Sequence, residues 1–284
     1  MTVTETAFAK RYGPWALVAG ASEGVGAAYA RAMAERGLNV VLLARRQAVL
    51  DELADAIRAD TGVETRAVAV DLSTDHAMAT ILEATAGLDI GMLMYCAGAD
   101  PVYERFLANS VDVALDLVQR NCVVPMQLCH HFAGPMAARG SGGIVLVSSG
   151  AGLAGGRNMV AYCATKAFDM VMAEALWAEL HDKGVDVLGL VLSVTDTPAL
   201  RRLLAKRGVL ASDDDTSPIP GATTAADTVA EAIANLTNGP TWFVGDQFRE
   251  GAQMMRSMDR NDVVKAMMQM SGGIMGEDPT DVTP

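Results

Sequence analysis

The chain has 284 residues, of which 51% are hydrophobic and 5% aromatic, and its formal net charge is −12. This acidity, together with the lack of a basic stripe interleaved with aromatic residues, argues against nucleic acid as a partner. The sequence contains no run of about 18 apolar residues, so we predict no transmembrane segment. The first ten residues lack the apolar core and cleavage pattern of a signal peptide, so we expect a cytoplasmic protein. The four cysteines form no C-x-x-C pair, and we expect their thiols to be reduced.

Seven short apolar segments recur along the chain and are mostly separated by helical patterns. They lie at 15–19, 40–44, 66–70, 90–95, 144–148, 185–192 and 241–244. Unbroken runs of Val, Ile, Leu and Ala are typical of parallel strands that are buried on both faces. Their alternation with helices predicts an α/β fold, a Rossmann-type doubly wound parallel sheet of about seven strands with helices on both faces. We predict one such domain over 1–245, followed by a C-terminal extension over 246–284.

A glycine-rich turn links the first predicted strand to an alanine-rich helix. Its glycines have the spacing G-x-x-x-G-x-G, which differs from the G-x-G-x-x-G of the general dinucleotide fingerprint. Glycine permits a tight turn, and the missing Cβ lets a pyrophosphate approach the backbone N–H groups at the helix N-terminus. We therefore predict that a dinucleotide binds here, in contact with Gly20, Ser22, Glu23, Gly24, Val25 and Gly26.

The end of the second predicted strand indicates which dinucleotide the chain binds. Enzymes that prefer NAD place an acidic residue there to bind the ribose 2′-hydroxyl, but this chain has Ala44 followed by Arg45 and Arg46. Without the carboxylate a 2′-phosphate is not repelled, and a guanidinium can bind it through two hydrogen bonds. We predict that NADP(H) is favoured over NAD(H), with Arg45 facing the phosphate and Arg46 as a helper or a solvated bystander.

A proline four residues after Asn121 predicts a distorted helix. Pro125 has no N–H to bond the carbonyl group of Asn121, so a helix through this segment should kink and leave that carbonyl free. A free carbonyl beside Lys166 could hold a water molecule. Asn121 is therefore a candidate catalytic residue, and the alternative is that it only satisfies the bend.

Three polar residues follow the apolar segment at 144–148. Ser149 ends the predicted strand, and Tyr162 and Lys166 lie four residues apart on one face of the next helix. An ordinary tyrosine has a pKa near ~10, and a nearby ammonium favours the phenolate, which makes a phenol a usable proton carrier near neutral pH. With Ser149 holding a carbonyl oxygen, this set suits the interconversion of a ketone and an alcohol.

Together these motifs resemble those of the short-chain dehydrogenase/reductase family, from about residue 14 to about residue 245. The family pattern T-G-x-x-x-G-x-G begins here with Ala19 in place of Thr. The resemblance implies that the domain over 1–245 is catalytic and that it oxidises CH–OH groups or reduces C=O groups with NAD(P). It also implies a catalytic tetrad, which is complete in this chain: Ser149, Tyr162, Lys166 and Asn121.

Other family positions are only partly matched. The N-N-A-G segment after the fourth strand reads YCAG at 95–98, and the P-G-x-x-x-T stretch at 192–197 keeps only Thr197. Relatives that prefer NADP often have a basic residue where this chain has Glu23, which opposes the NADP(H) prediction unless Glu23 only caps the helix. The resemblance adds these cofactor contacts: Asp71, Leu72, Cys96, Ala97, Gly98, Tyr162, Lys166, Val194, Thr195 and Thr197.

The substrate is indicated by weaker features. Over 15–71 the chain is similar to the branch that contains 3-oxoacyl-CoA reductases and 17β-hydroxysteroid dehydrogenases, which implies a small hydrophobic carbonyl or alcohol substrate. The polar, proline-broken segment at about 197–223 predicts a lid over the nicotinamide end, or an exposed linker. The Met-rich extension should be helical and pack on the domain or on a partner subunit, and the alternative is an apolar wall for the substrate.

Three further expectations concern assembly, metals and the main alternative function. Relatives assemble through their fifth and sixth helices, and the apolar stripe at 167–180 predicts a homodimer or homotetramer. His130 and His131 are adjacent on a helix and point apart, so we predict no metal. The alternative to an enzyme is a non-catalytic dinucleotide-binding or scaffold protein, which the changed segments at 95–98 and 192–197 favour and the complete tetrad opposes.

Overall fold

The computed structural model describes residues 6–100 and 102–275, with side-chain positions through residue 269. The sheet strands of this part are β1 (Trp15–Ala19), β2 (Asn39–Ala44), β3 (Thr65–Ala69), β4 (Ile90–Tyr95), β5 (Gly142–Ser149), β6 (Val185–Leu192) and β9 (Thr241–Phe243). All pair in parallel, in the order β3-β2-β1-β4-β5-β6-β9. The predicted seven-stranded parallel sheet is confirmed. Two short strands, β7 (Thr195–Asp196) and β8 (Thr223–Thr224), form a separate ribbon.

Helices lie on both faces of the sheet, as predicted. The helices of the described residues are α1 (Ala7–Tyr12), α2 (Gly24–Glu35), α3 (Gln47–Thr61), α4 (Ala77–Thr85), α5 (Val111–Val118), α6 (Val124–Arg139), α7 (Val160–Leu180), α8 (Pro198–Lys206), α9 (Ala225–Ala234), α10 (Asp246–Arg256) and α11 (Arg260–Met275). Residues of α1, α2, α3 and α9 form one core layer, and residues of α4, α6 and α7 form the other. Residues 276–284 of the predicted extension lie outside the described residues.

Strand β1 shows why the sheet segments are continuously apolar. Ala16 and Val18 pack into the core layer on one face, whereas Trp15, Leu17 and Ala19 pack into the layer on the other. Because both faces of the strand are covered by helices, neither set of alternating side chains reaches solvent. The segment therefore shows no alternation between polar and apolar residues. The alternation of strand and helix along the chain therefore specifies the fold more strongly than any single segment does.

The order of the strands fixes where a ligand can bind. The chain moves from β1 to β2 and β3 on one side, and then returns to add β4 on the other side of β1. The loops that leave the carboxyl ends of β1 and β4 therefore run in opposite directions and leave a crevice between them. Ligands of open α/β sheets bind at this switch point.

The helix that contains Asn121 is irregular on the N-terminal side of Pro125. Between α5 and α6 the chain forms a π-helical turn over Gln119–Val123. Pro125 cannot donate a backbone hydrogen bond to residue 121, so the ordinary α-helical ladder is interrupted there. Asn121 is fully buried inside this turn, so its side chain faces the interior of the domain.

One face of α5 is apolar and exposed. Val111, Leu115 and Val118, which are spaced at four and three residues, are 60%, 57% and 42% exposed. Val171 of α7 is also largely exposed, whereas Ala173 and Leu180 of the same helix are buried. The predicted stripe of α7 is therefore shared between the core and the surface. None of the helices within the described ranges has the length and hydropathy to span a membrane.

Candidate active site

A cavity of about 990 Å³ opens at the carboxyl ends of the central strands. Every residue predicted above to contact the cofactor lines this cavity, and so does Ser149. Asn121 is the exception among the predicted site residues, because it lies buried behind the wall. Segments separated by more than 170 residues in sequence therefore meet around one space.

The glycine-rich turn has the shape that a dinucleotide requires. Gly20 and Gly24 have φ angles of +84° and +56°, which favour glycine. A Cβ on Gly26 would lie only 2.0 Å from the carbonyl oxygen of Gly20, so the start of α2 packs directly on the turn. The N-terminus of α2 thus lines the cavity, and Gly24 and Gly26 add no side chain beside its backbone N–H groups. These residues fit a pyrophosphate held at a helix N-terminus.

Glu23 lies at the centre of a charged network that joins three elements. Arg46 donates to one carboxylate oxygen over 2.7 Å, and Arg202 of α8 donates to the other. Glu23 occupies the N-cap position of α2 but makes no side-chain capping bond, so the capping interpretation was wrong. Burial alone would raise the pKa of Glu23, but the hydrogen bonds from Arg202 and Arg46 lower it. The acid is therefore ionised and balanced by two guanidinium groups.

Asp71 follows β3 and is also held as a carboxylate. Its Oδ1 accepts hydrogen bonds from the backbone N–H and the hydroxyl of Ser73, over 3.0 and 2.8 Å. Burial opposes ionisation, but these bonds and the nearby charges of Arg45 and Arg120 lower the pKa of Asp71. Arg45 thus lies at the cavity wall, close enough to Asp71 for their charges to interact.

Lys166 is the buried cation of the site. Its Nζ donates to the carbonyl oxygen of Val147 over 2.8 Å and to Oδ2 of Asp169 over 2.9 Å. A Cβ on Gly98 would lie 2.9 Å from this Nζ and 2.8 Å from Oδ1 of Asn121. Gly98, with a φ of +130°, therefore leaves the space that the ammonium and the amide occupy.

Asn121 braces the loop after β4 against α7. Its Nδ2 donates to the carbonyl oxygen of Gly98 over 3.1 Å and to Oγ1 of Thr165 over 3.0 Å. The Thr165 hydroxyl donates in turn to the carbonyl oxygen of Tyr162 over 3.0 Å. The amide of Asn121 is thereby connected to the backbone that carries Tyr162, and we expect the brace to fix the orientation of the tyrosine.

Tyr103 is a residue of the site that the sequence patterns did not indicate. Its ring lies 5.4 Å from the ring of Tyr162 in an edge-on arrangement, and its hydroxyl hydrogen-bonds to Tyr162. Burial and the neighbouring Tyr162 raise the pKa of Tyr103 well above its ordinary value. Tyr103 belongs to the irregular segment between β4 and α5, where no periodicity marks individual residues, so sequence alone carries no signal for this contact.

The apolar end of the cavity comes from three parts of the chain. The loop after β5, which includes a 3₁₀ turn at Gly150–Leu153, contributes apolar side chains together with α10 and α11. Met267 of α11 packs with Ala154 in a small cluster, and Phe248 of α10 packs beside Phe243 of β9. The apolar residues that line this end are Leu153, Met159, Phe248, Met255 and Met267. In the described part of the chain, no three His, Cys, Asp or Glu residues are placed to hold a metal ion.

Comparison with known proteins assigns this arrangement to a family. A family model described as short chain dehydrogenase matches residues 14–208. The chain is 31% identical over 265 residues to a 7beta-hydroxysteroid dehydrogenase of Clostridium sardiniense, which covers 93% of this chain and 97% of the relative. It is 32% identical over 178 residues to a very-long-chain 3-oxoacyl-CoA reductase of Macaca fascicularis, which covers 62% of this chain and 57% of the relative.

Solved structures agree with these sequence matches. A 7beta-hydroxysteroid dehydrogenase structure superposes with a TM-score of 0.83 at 29% identity and covers 92% of this chain and 98% of its own. A short-chain dehydrogenase from Sphingobium yanoikuyae in complex with NADPH superposes with a TM-score of 0.72 at 26% identity and covers 87% of this chain and 96% of its own. The family and the fold expected from the sequence are both confirmed.

The space beside Gly98 provides a test of the site geometry. We expect Gly98→Ala to reduce turnover at least about a hundredfold, because the added Cβ would displace the Lys166 ammonium and the Asn121 amide. Gly155→Ala is the matched control, since a Cβ there meets nothing within 4 Å and its φ is not positive. The measurements are steady-state turnover of both variants and their thermal melting, which checks that each is folded. Equal turnover in the two variants would contradict this geometry.

Proposed function

The chain belongs to the short-chain dehydrogenase family, and from this premise we propose that it is an NADP(H)-dependent enzyme that interconverts a ketone and a secondary alcohol on a hydrophobic, steroid-like substrate. It is an oxidoreductase of CH–OH groups, like the relatives it matches, and the non-catalytic alternative loses its support. The observation that carries the finer proposal is the convergence of Ser149, Tyr162 and Lys166 with the glycine-rich turn around one cavity.

The residues of the cavity divide into those that would hold the cofactor and those that would act on the substrate. The turn at 20–26 would hold the pyrophosphate, Asp71 the adenine and Arg45 the 2′-phosphate. When bound, the reduced cofactor supplies a hydride for the carbonyl carbon of the substrate. Tyr162 would give its phenolic proton to the carbonyl oxygen, and Ser149 would donate a hydrogen bond to the same oxygen. In the oxidation direction Tyr162 would take the proton from the alcohol.

Lys166 and Asn121 would support this proton transfer without touching the substrate carbon. The ammonium of Lys166 lies close enough to Tyr162 for their charges to interact. It would therefore offset the negative charge left on the phenol oxygen when the proton is transferred. The brace from Asn121 through Thr165 to the backbone of Tyr162 would keep the phenol aimed at the carbonyl oxygen.

Three observations support NADP(H) over NAD(H). Arg46 is engaged by Glu23, which leaves Arg45 as the guanidinium that would bind a 2′-phosphate at the end of β2. A similar short-chain dehydrogenase is known in complex with NADPH. The position that would carry an acidic residue in an NAD-preferring enzyme is occupied by Ala44.

A hydrophobic substrate is supported by the wall of the cavity. Side chains of α10 and α11 close one end with thioether and aromatic groups, which tolerate varied apolar partners. The match to a 7beta-hydroxysteroid dehydrogenase covers 93% of the chain, whereas the match to a 3-oxoacyl-CoA reductase covers 62% of it. We therefore place steroid-like ketones ahead of 3-oxoacyl thioesters.

We also propose how the chain is organised around this reaction. Residues 1–245 form one catalytic domain, and α10 and α11 belong to an extension that closes its substrate end. The segment 197–223 serves as a lid: α8 contributes Leu200 and Leu203 to the cavity wall, and Gly24 packs against Thr197 at its start. A cytoplasmic location is part of the proposal, supported by four free cysteines in an enzyme that requires none of them oxidised.

The proton-transfer role of Tyr162 is tested by Tyr162→Phe. We expect turnover of the best ketosteroid substrate to fall about a thousandfold, because the variant lacks the hydroxyl that exchanges the proton with the substrate oxygen. NADPH affinity, followed by quenching of tryptophan fluorescence, should stay within about threefold of wild type. Tyr12→Phe removes a hydroxyl that bonds Asp186 and is the matched control. Wild-type turnover by Tyr162→Phe would refute the mechanism.

The cofactor preference is tested by Arg45→Ala. We expect NADPH to bind at least about tenfold more weakly, a loss of ~1.4 kcal/mol, since the guanidinium partner of the 2′-phosphate is removed. NADH has no such phosphate, so its affinity should not change. Arg31→Ala, which removes an exposed guanidinium of α2 that pairs with Asp60, is the control. An equal loss of NADPH and NADH affinity in Arg45→Ala would assign Arg45 another role.

We propose a homodimer or homotetramer that buries the exposed face of α5. Leu115→Glu places a charge at the centre of this face, and we expect it to shift the protein to a smaller species in light scattering with its fold retained, because a buried unpaired charge opposes association. Val209→Glu, at an exposed apolar residue beyond α8, should keep the wild-type assembly. Unchanged mass for Leu115→Glu would exclude this face from the interface.

A further inference from the structure

Asp169 is a buried acid that the mechanism above does not use. It lies on α7, three residues after Lys166, and only 1% of its surface is exposed. Its Oδ2 accepts the hydrogen bond from the Lys166 ammonium, while its Oδ1 has no hydrogen-bond partner within the described part of the protein. The helix segment around it is otherwise apolar, with Phe168, Met170 and Ala173 nearby in sequence. An apolar side chain would cost less free energy to bury at this position than a carboxylate, so the presence of the carboxylate indicates a functional role.

The surroundings of the pair contain few groups that could compensate a charge. Three elements pack against it, and they contribute titratable groups whose influence on Lys166 or Asp169 is electrostatic. These groups are Tyr95 at the end of β4, Cys96 directly after it, Arg120 and Cys122 of the π-helical turn, Cys129 of α6, and Tyr162 of α7 itself. Arg120 is the one further cation among them, and it donates to the carbonyl oxygen of Ala99 over 2.9 Å.

Burial and the ion pair act in opposite directions on Lys166. Burial alone lowers the pKa of the ammonium, because the charged form loses its hydration. The attraction of Asp169, with a smaller one from Tyr162, outweighs this effect, so that the pKa of Lys166 is raised. The carboxylate of Asp169 is stable in this interior only as a partner of the ammonium, since a lone buried charge is costly.

We propose that Asp169 is a positioning residue for the reaction: it holds the Lys166 ammonium, in its charged form, at the carbonyl oxygen of Val147 and within electrostatic range of Tyr162. The inference rests on the proposed function of Tyr162 and Lys166. Asp169 does not touch the substrate or the cofactor. Asp169 acts on the reaction only through Lys166. The pH range of activity therefore depends on a residue outside the tetrad.

Removal of the carboxylate affects Lys166 in a defined direction. Without Asp169, burial dominates at Lys166, so the pKa of the ammonium falls and it loses its proton at lower pH. The basic limb of the alcohol-oxidation profile therefore shifts toward acid, which a variant with only lowered stability would not show.

The test uses Asp169→Asn, which keeps the shape of the side chain and removes the charge. We expect the basic limb of its pH profile for alcohol oxidation to move about one unit toward acid. Asp186→Asn is the matched control, because Asp186 lies on β6 outside the cavity and pairs with Arg11 and Tyr12 of α1. This control should lower the melting temperature without moving the profile. Reduced turnover in Asp169→Asn with an unmoved profile would overturn the proposal.

A second measurement needs neither cofactor nor substrate. The chain has five lysines, so NMR with lysine labelled at Cε can follow each ammonium, and Lys166→Arg identifies the signal of Lys166. In the wild-type protein this signal should remain in its charged form at a pH where the other lysines are half titrated, and in Asp169→Asn it should titrate before them.

The two measurements separate the possible failures. A wild-type Lys166 that titrates with or before the other lysines would overturn the proposal even if Asp169→Asn did not fold. Absence of turnover with every ketone and alcohol, together with the expected lysine titration, would refute the proposed function and the positioning role that depends on it, while the ion pair itself would stand.

Discussion

The site is arranged around one buried charge, the ammonium of Lys166. A primary ammonium in the interior requires oxygen acceptors, and Val147 of β5 and Asp169 of α7 supply two of them. The space it occupies exists because Gly98 has no side chain. The ends of β4 and β5 and the first turns of α7 must therefore stay in register, and the position of Tyr162 follows from the same register, since it lies one turn before the lysine on the same helix.

The sheet supplies the second requirement, which is that two loops meet at one crevice. The order of the strands brings the turn after β1 beside the loop after β4, and a Cβ on Gly20 would collide with the backbone of Ala97. The close approach of these two backbones joins the proposed phosphate end of the cavity to the end where Gly98 approaches Lys166. In the proposed reaction, a change in either loop would therefore alter cofactor position and proton transfer together, although the two loops are distant in sequence.

Features with a local cause could be predicted from the sequence, and contacts between distant elements could not. The seven strands follow from apolar runs, and the pairing of Tyr162 with Lys166 follows from helical spacing. One of the two partners of Glu23, by contrast, is Arg202, which lies 179 residues away on α8, and no pattern within either segment indicates the other. Tyr103 is equally invisible, because its place is set by tertiary packing. Asp169 is intermediate: helical spacing puts it within reach of Lys166 three residues earlier, but the burial of the pair depends on tertiary packing.

The network at Glu23 removes the main objection to NADP(H). A carboxylate in the glycine-rich turn would repel a 2′-phosphate if it stood alone. Here it is bonded to Arg46 and Arg202, so the three groups together carry a net positive charge, and Arg45 adds another beside them. At the distance of the proposed phosphate site, the field of the Glu23 carboxylate is cancelled by that of a guanidinium bonded to it. The field at that site is therefore set by the remaining guanidinium groups. An acidic residue at this position is thus compatible with a cofactor that carries a further phosphate, provided that α8 stays against the turn and keeps Arg202 in place.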